Sequence, residues 1–119
     1  MKTLRIINTS TQEILARQAV IADNFWLRLK GLLGRDEFLL GEGLLIKPCS
    51  MVHCLGMKIS IDVLFISRSN EIIHIIEKMP PGSISPWVKK AEGVLELPEG
   101  QVARTRTRVG QKVKMIQIE

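Results

Sequence analysis

Residues 58–78 read KISIDVLFISRSNEIIHIIEK, and the period of this stretch decides the fold. Ile59, Ile61, Val63 and Phe65 alternate with Lys58, Ser60, Asp62 and Leu64, the two-residue repeat of a β-strand. Arg68, Ser69 and Asn70 form a polar hairpin turn, and EIIHIIEK (71–78) returns as the paired strand.

Working outward, the pattern stays β. On the N-terminal side, GLLIK (43–47) is a short apolar run ended by Pro48. LRIINTS (4–10) and EILARQAVIA (13–22) read as two strands around a polar turn at Asn8 to Gln12. On the C-terminal side, GVLELP (93–98), QVARTRTRV (101–109) and KVKMIQI (112–118) read as three more strands, separated by PEG (98–100) and Gly110. One segment departs from this pattern. Asp23 offers an N-cap to NFWLRLKGLL, where Phe25, Leu29 and Leu32 share a helical face and Gly34 is a stop, so one helix is expected over 24–33. MPPGSISPW (79–87) holds three of the five prolines and is expected to be a long structured loop. The expectation is a mainly β fold, α+β by strict count: a small barrel-like roll of about eight short strands with one helix. Closure of the roll would remove exposed strand edges.

Length and composition bound the class. A chain of 119 residues makes one domain, 1–119, and folding buries over ~60% of the unfolded surface. Apolar residues at 45% against charged residues at 24% exclude a disordered chain. With 4% aromatics and no Tyr, the core rests on Ile, Leu, Val and Met. No apolar run reaches the ~20 residues of a membrane span, and MKTLRIINTS lacks the marks of a signal peptide. A cytoplasmic location with reduced cysteines is expected. The net charge of +5 favours anionic partners without selecting among them, and a solubility surface explains it equally well.

The chain resembles a known family at GLLGR (31–35), GEGLL (41–45), Pro48, HCLGMK (53–58), IDVLF (61–65), VLELPEG (94–100) and VGQKV (109–113), in that order. The family is domain of unknown function 192, also catalogued as uncharacterised protein family 0127, and the likeness covers about residues 23–116. It implies a compact, mostly β fold with a helix near the start, and no established biochemical activity. It also implies that Met57, Asp62 and Glu96 matter, as a polar pocket in an apolar wall if they meet in space. Three positions depart from the pattern: Ser69-Asn70 replaces a usual Asp-Gly, Gln111 replaces an Asp, and Cys54 stands where Thr is common.

CSMVHCLGMKISIDVLF (49–65) concentrates both cysteines and one of the two histidines. Cys49, Cys54, His53 and His74 could form a Cys2His2 set, but the second close-spaced ligand pair of a structural zinc site is missing, and adjacent His53 and Cys54 point apart in extended chain. Met51 and Met57 could instead complete a soft copper site. Cys49 with His53 could make a nucleophile and base if 49–53 is one tight turn. The plainer reading makes the cysteines small buried hydrophobes and the methionines core filler, with no metal and no cofactor.

Asp62 shares a strand face with Lys58 and Ser60, which reads as a solvated face; the resemblance favours a buried, hydrogen-bonded carboxylate instead. Glu96 is in the same position within VLELP. Arg104, Arg106 and Arg108 would share one face of a strand at ~6.6 Å spacing, suited to phosphate or carboxylate, or else would guard an exposed edge. Trp87 is either the apolar anchor of a loop over a cavity or a plug in the end of the barrel. The expected function is non-enzymatic binding. The pocket would hold His53, Met57, Asp62, Glu96 and Trp87 and take a small ligand or a protein segment, with weak polyanion binding through Arg104, Arg106 and Arg108. The alternatives are an enzyme using the Asp62 and Glu96 carboxylates, with His53, or a basic module working through the three arginines.

Overall fold

The computed structural model describes residues 2–23 and 35–118. Among the described residues seven strands follow in chain order: β1 (Thr3–Asn8), β2 (Glu13–Ala22), β3 (Glu42–Ile46), β4 (Ile61–Ser67), β5 (Ile72–Met79), β6 (Ala91–Pro98) and β7 (Val113–Gln117). A four-residue helix, α1 (Gln101–Arg104), lies between β6 and β7. The helix expected over 24–33 lies outside the described residues.

All seven strands form one sheet in the order β5-β4-β6-β3-β2-β1-β7, curled into a half-barrel. Only β2 and β3 run parallel; the other neighbours are antiparallel. The hairpin that decides the fold is β4–β5, with Asn70 in the turn at φ 63°. Curling brings the outermost strands together at one rim: Glu71 bridges Lys112, and the Val113 amide donates to the Asn70 carbonyl at 2.9 Å.

Curvature gives the sheet two apolar faces. The inner face packs Ile6, Leu15, Leu45, Leu64, Leu95 and Leu97 from five strands with Val102 of α1. The outer face of β3, β4 and β6 packs Leu44, Ile46, Ile61, Val63, Phe65 and Val94 under Val52, Cys54 and Met79. Residues 61–66 of β4 are therefore buried on both faces. Each apolar side chain among them taken out of water contributes about 1.5–3 kcal/mol. The β2–β3 pair is tight. A Cβ on Gly43 would lie 2.9 Å from Ala16 Cβ and 3.2 Å from Ala19 Cβ, so only glycine fits there without a shift.

The expected strand 101–109 is corrected by the structure. Gly100, at φ 90°, turns the chain into α1, and Arg106 adopts φ 56°, outside the extended region that regular strand residues take. The alternation that suggested a strand is real but has another cause. Thr105 and Thr107 turn inward and bond each other at 2.7 Å, while Arg104, Arg106 and Arg108 stay exposed. Thr105 Oγ1 also donates to the Gln101 carbonyl at 2.8 Å, and Asn8 Nδ2 donates to Thr107 Oγ1 at 3.1 Å. A hydroxyl network holds a compact turn where a period of two looked like a ladder.

Candidate functional site

Asp62 is fully buried on the inner face. Its Oδ1 accepts from the Lys78 amide at 3.0 Å and its Oδ2 from the Val102 amide at 2.9 Å. Ile61 faces Met79 while Val63 faces Ile76, so β5 has an extra residue opposite Asp62, and Lys78 takes φ 54° there. The carboxylate thus joins a β-bulge to the first turn of α1. The solvated-face reading of Asp62 is corrected: the face is covered.

Glu96 lies on the other side of the sheet. Asp62 is paired with Leu97, and Val63 with Glu96. Directly paired residues share a face and consecutive ones do not, so the two carboxylates are separated by the sheet itself. A general acid and base pair from Asp62 and Glu96 is excluded by this register. Glu96 is 3% exposed, between Leu44 and Val63, and no described residue donates a hydrogen bond to its carboxyl. Among the described residues no sealed side-chain N or O lacks a partner, so the bare carboxyl keeps a slim contact with solvent. Burial pushes its pKa up to about 7. Cys54, also on this side, is fully buried. Its thiol is pushed up by burial and then by the nearby Glu96 charge, against a hydrogen bond with Ser83 that pulls it down.

Over this outer face lies a double loop. Residues 50–54 and 82–88 run alongside each other, tied by Cys54 N to Ser83 O (2.8 Å), Ser85 N to Val52 O (2.8 Å), Val88 N to Ser50 O (2.8 Å) and Gly82 N to Cys54 O (2.9 Å). Buried Ser85 adds an Oγ that accepts from the Val52 amide at 2.9 Å. The 79–87 segment is thus the structured loop its prolines indicated. In this ladder Val52 and Cys54 turn inward while Met51, His53 and Leu55 turn outward, with Ile84 bridged to His53.

The expected pocket residues are therefore dispersed. Met57 packs against the outer cluster, on Glu96's side of the sheet, while Asp62 is on the inner face. His53 is exposed, and its Nδ1 accepts from the Leu55 amide at 3.3 Å. Trp87 is neither plug nor buried anchor: it is 66% exposed, with Nε1 donating to Ser50 Oγ at 3.0 Å. The loop covers the outer face through Val52, Cys54 and Val88 instead. Cys49 and Cys54 form no disulfide, and His74 packs its ring 5.4 Å from Phe65. No three His, Cys, Asp or Glu side chains among the described residues cluster as metal ligands.

The three arginines likewise share no face of a strand. Arg104 donates through Nε to Gln101 Oε1 at 3.0 Å, and Arg106 approaches Glu13 of β2 at 3.7 Å. The Arg108 amide is held by Gln111 Oε1 at 2.8 Å. Sequence reasoning missed Gln101 and the outward apolar set of the double loop. The period of two in residues 51–55 carried a signal for the latter; nothing local marks Gln101.

The family model for domain of unknown function 192, described as an uncharacterised ACR, matches residues 6–115. No curated protein sequence matches at a significant level. Among solved structures, the chain is similar to a "putative transcription regulator" from Sinorhizobium meliloti, at 24% identity and a TM-score of 0.81 over 96% of this chain and 92% of that one. It is also similar to a protein of unknown function from Novosphingobium aromaticivorans, at 22% identity and a TM-score of 0.81 over 94% of this chain and 83% of that one. These likenesses establish the half-barrel fold.

Proposed function

Since the chain belongs to the domain of unknown function 192 family, whose half-barrel carries no assigned activity, we propose from the site itself that it is a non-enzymatic binding module. Its occupant is an apolar protein segment with acidic flanks, taken on the outward side of the double loop. The observation that supports this most is the exposure there. Met51 is 52% exposed, Leu55 47%, Ile84 61% and Trp87 66%, all on or beside one two-stranded ribbon. Scattered exposed apolar residues need no explanation, but four of them close together on and beside one ribbon, one a tryptophan, have the composition of an interaction surface. Charge supports the acidic flanks: residues 47–60 and 80–91 contain Lys47, Lys58, Lys89 and Lys90 and no Asp or Glu. The enzyme alternative loses its carboxylate pair to the register, and the basic module loses its aligned arginines to the turn.

The test uses arrayed peptides that vary apolar content and flanking charge. Segments with apolar cores and acidic flanks are expected to be retained, and Ile84→Asp or Trp87→Asp to weaken retention at least about tenfold with an unchanged circular dichroism spectrum. Equal retention by parent and variants, or preference for basic flanks, overturns the reading.

A further inference from the structure

A second, separate surface lies where β2, the loop before β3 and α1 meet, and it stands independently of the double loop. A cleft of about 530 Å³ there is lined by residues that include Ile14, Arg17, Leu40, Gly41, Gln101 and Arg104. A neighbouring cleft of about 430 Å³ shares Leu40 and Arg104 and continues past Phe38, Ile59 and Pro98. Read as one groove, they place Arg17 in the first cleft, Arg104 and Leu40 at the junction, and Phe38, Ile59 and Pro98 along the second.

The Arg104 end is built rather than incidental. Gln101 is buried, and its Nε2 donates to the carbonyls of Ile14 and Leu15 at 3.2 and 3.1 Å. Those carbonyls lie where the β1–β2 register shifts, with Ile7 facing Ile14 and Ile6 facing Ala16. Gln101 Oε1 then accepts from Arg104 Nε, and the Glu99 carbonyl accepts from Arg104 Nη2 at 3.4 Å. Gly100 makes room beneath: a Cβ there would lie 3.0 Å from Arg104 Nη1. An exposed arginine is thus oriented by a buried amide that is itself fixed to two strand carbonyls.

The charges around it leave that cation uncompensated. Neither Arg17 nor Arg104 forms an ion pair with a described residue, although both line the cleft. Glu13, the acid on the same wall, is engaged by Arg106. Glu99 lines the neighbouring cleft and makes that end unsuitable for an anion. The rim is held as well, since Gly41 O accepts from the Arg17 and Gln18 amides at 2.9 and 3.0 Å. Leu40, on the shared wall, is 68% exposed, and Ile14 is 36% exposed.

We propose that this groove binds a small amphiphilic carboxylate, its head between Arg17 and Arg104 and its aliphatic chain along Leu40 toward Phe38, Ile59 and Pro98. Planar guanidinium forks match a carboxylate bidentately, and the apolar walls supply what a bare inorganic anion cannot use. Gln101 acts as a positioning residue.

The probe is sodium octanoate, titrated into isotope-labelled full-length protein while amide and arginine Nε–H resonances are followed. Saturable shifts are expected at Gly41, Gln101 and Arg104, with octan-1-ol and sodium acetate each binding at least about tenfold more weakly. Arg17→Gln and Arg104→Gln should each weaken octanoate by about tenfold or more, and Arg108→Gln should not. Arg104→Lys, which keeps the charge but not the fork held by Gln101, should bind more weakly than the parent. Octanol binding as tightly as octanoate overturns the proposal. So does undiminished octanoate binding in the Arg17→Gln/Arg104→Gln double variant, or the absence of saturable shifts in the folded parent.

Discussion

Asp62 and Glu96 sit one residue out of register on adjacent strands, both nearly sealed from water, yet their surroundings differ in kind. Asp62 faces the inside of the roll, where a bulge in β5 and the start of α1 each present a backbone N–H to it. Glu96 faces the outside, under the double loop, where no described residue donates to it and burial alone acts on its pKa. A buried carboxylate that accepts hydrogen bonds from backbone amides holds those amides in place. One without donors is a cost that its protonation relieves. The difference separates a residue that makes the fold from one that the fold merely contains.

The sharpest way to break this comparison is to remove the structural member. Asp62→Ala strands two N–H groups, one of them in buried Val102, at up to about 2 kcal/mol each. The expected loss is therefore about 2–4 kcal/mol in urea denaturation, a large share of the ~5–15 kcal/mol of a typical domain. Glu96→Gln, which strands no backbone N–H, should not destabilise to that degree at neutral pH. If Asp62→Ala falls within about 1 kcal/mol of the parent, the two carboxylates are not different in kind.

How far this contrast could be read from the residues depends on what a period reports. Alternation in 58–66 correctly paired Asp62 with Leu64 and opposed it to Val63. A period of two assigns faces, however; it does not say whether a face is covered, and here both are. The same limit explains the arginines. Thr105 and Thr107 alternate with them as in a strand, but the inward hydroxyls serve a turn whose partners, Asn8 and Gln111, are too distant in sequence or too ordinary in type to announce it. Trp87 was legible as a loop residue and not as an exposed one, because an aromatic side chain gives no sign of which side of a two-stranded ribbon it takes. The turn and the pairing of the β4–β5 hairpin, by contrast, were legible, since turn and alternation are both local; the bulge opposite Asp62 was not.

The second prediction uses pH. Glu96 has its pKa raised from 4.5 to about 7 in the folded protein. Between those values the native state holds a proton that the unfolded state has released, so stability falls as pH rises. The contribution is fully present below pH 4.5 and is lost as pH climbs through about 7. Its size is on the order of 3 kcal/mol, at about 1.4 kcal/mol for each tenfold difference in proton affinity between the two states. Other groups titrate over the same range, so the quantity to measure is the difference between parent and Glu96→Gln across that window. The parent should lose stability relative to the variant as pH rises. Parallel stability profiles would mean that the carboxyl finds donors in solution and that its burial has no consequence.

The smallest effect tests the sheet as a barrier between the two carboxylates. Cys54 shares the outer face with Glu96, and its thiol is raised first by burial and second by the Glu96 charge, while Ser83 lowers it. In a Cys49→Ser background, thiolate absorbance reports Cys54 alone. Glu96→Gln should move its titration to lower pH without restoring the ordinary thiol value, because burial is the larger cause and is unchanged. Ser83→Ala should move it the other way, by removing the hydrogen bond that favours the thiolate. Asp62→Asn, with its folding verified by circular dichroism, should leave the thiol where it is, since Asp62 lies across the sheet and is engaged by two backbone amides. An Asp62→Asn shift equal to that of Glu96→Gln would show that the field of each carboxylate crosses the sheet freely. The opposition between the two faces would then be one of hydrogen bonding and not of electrostatics.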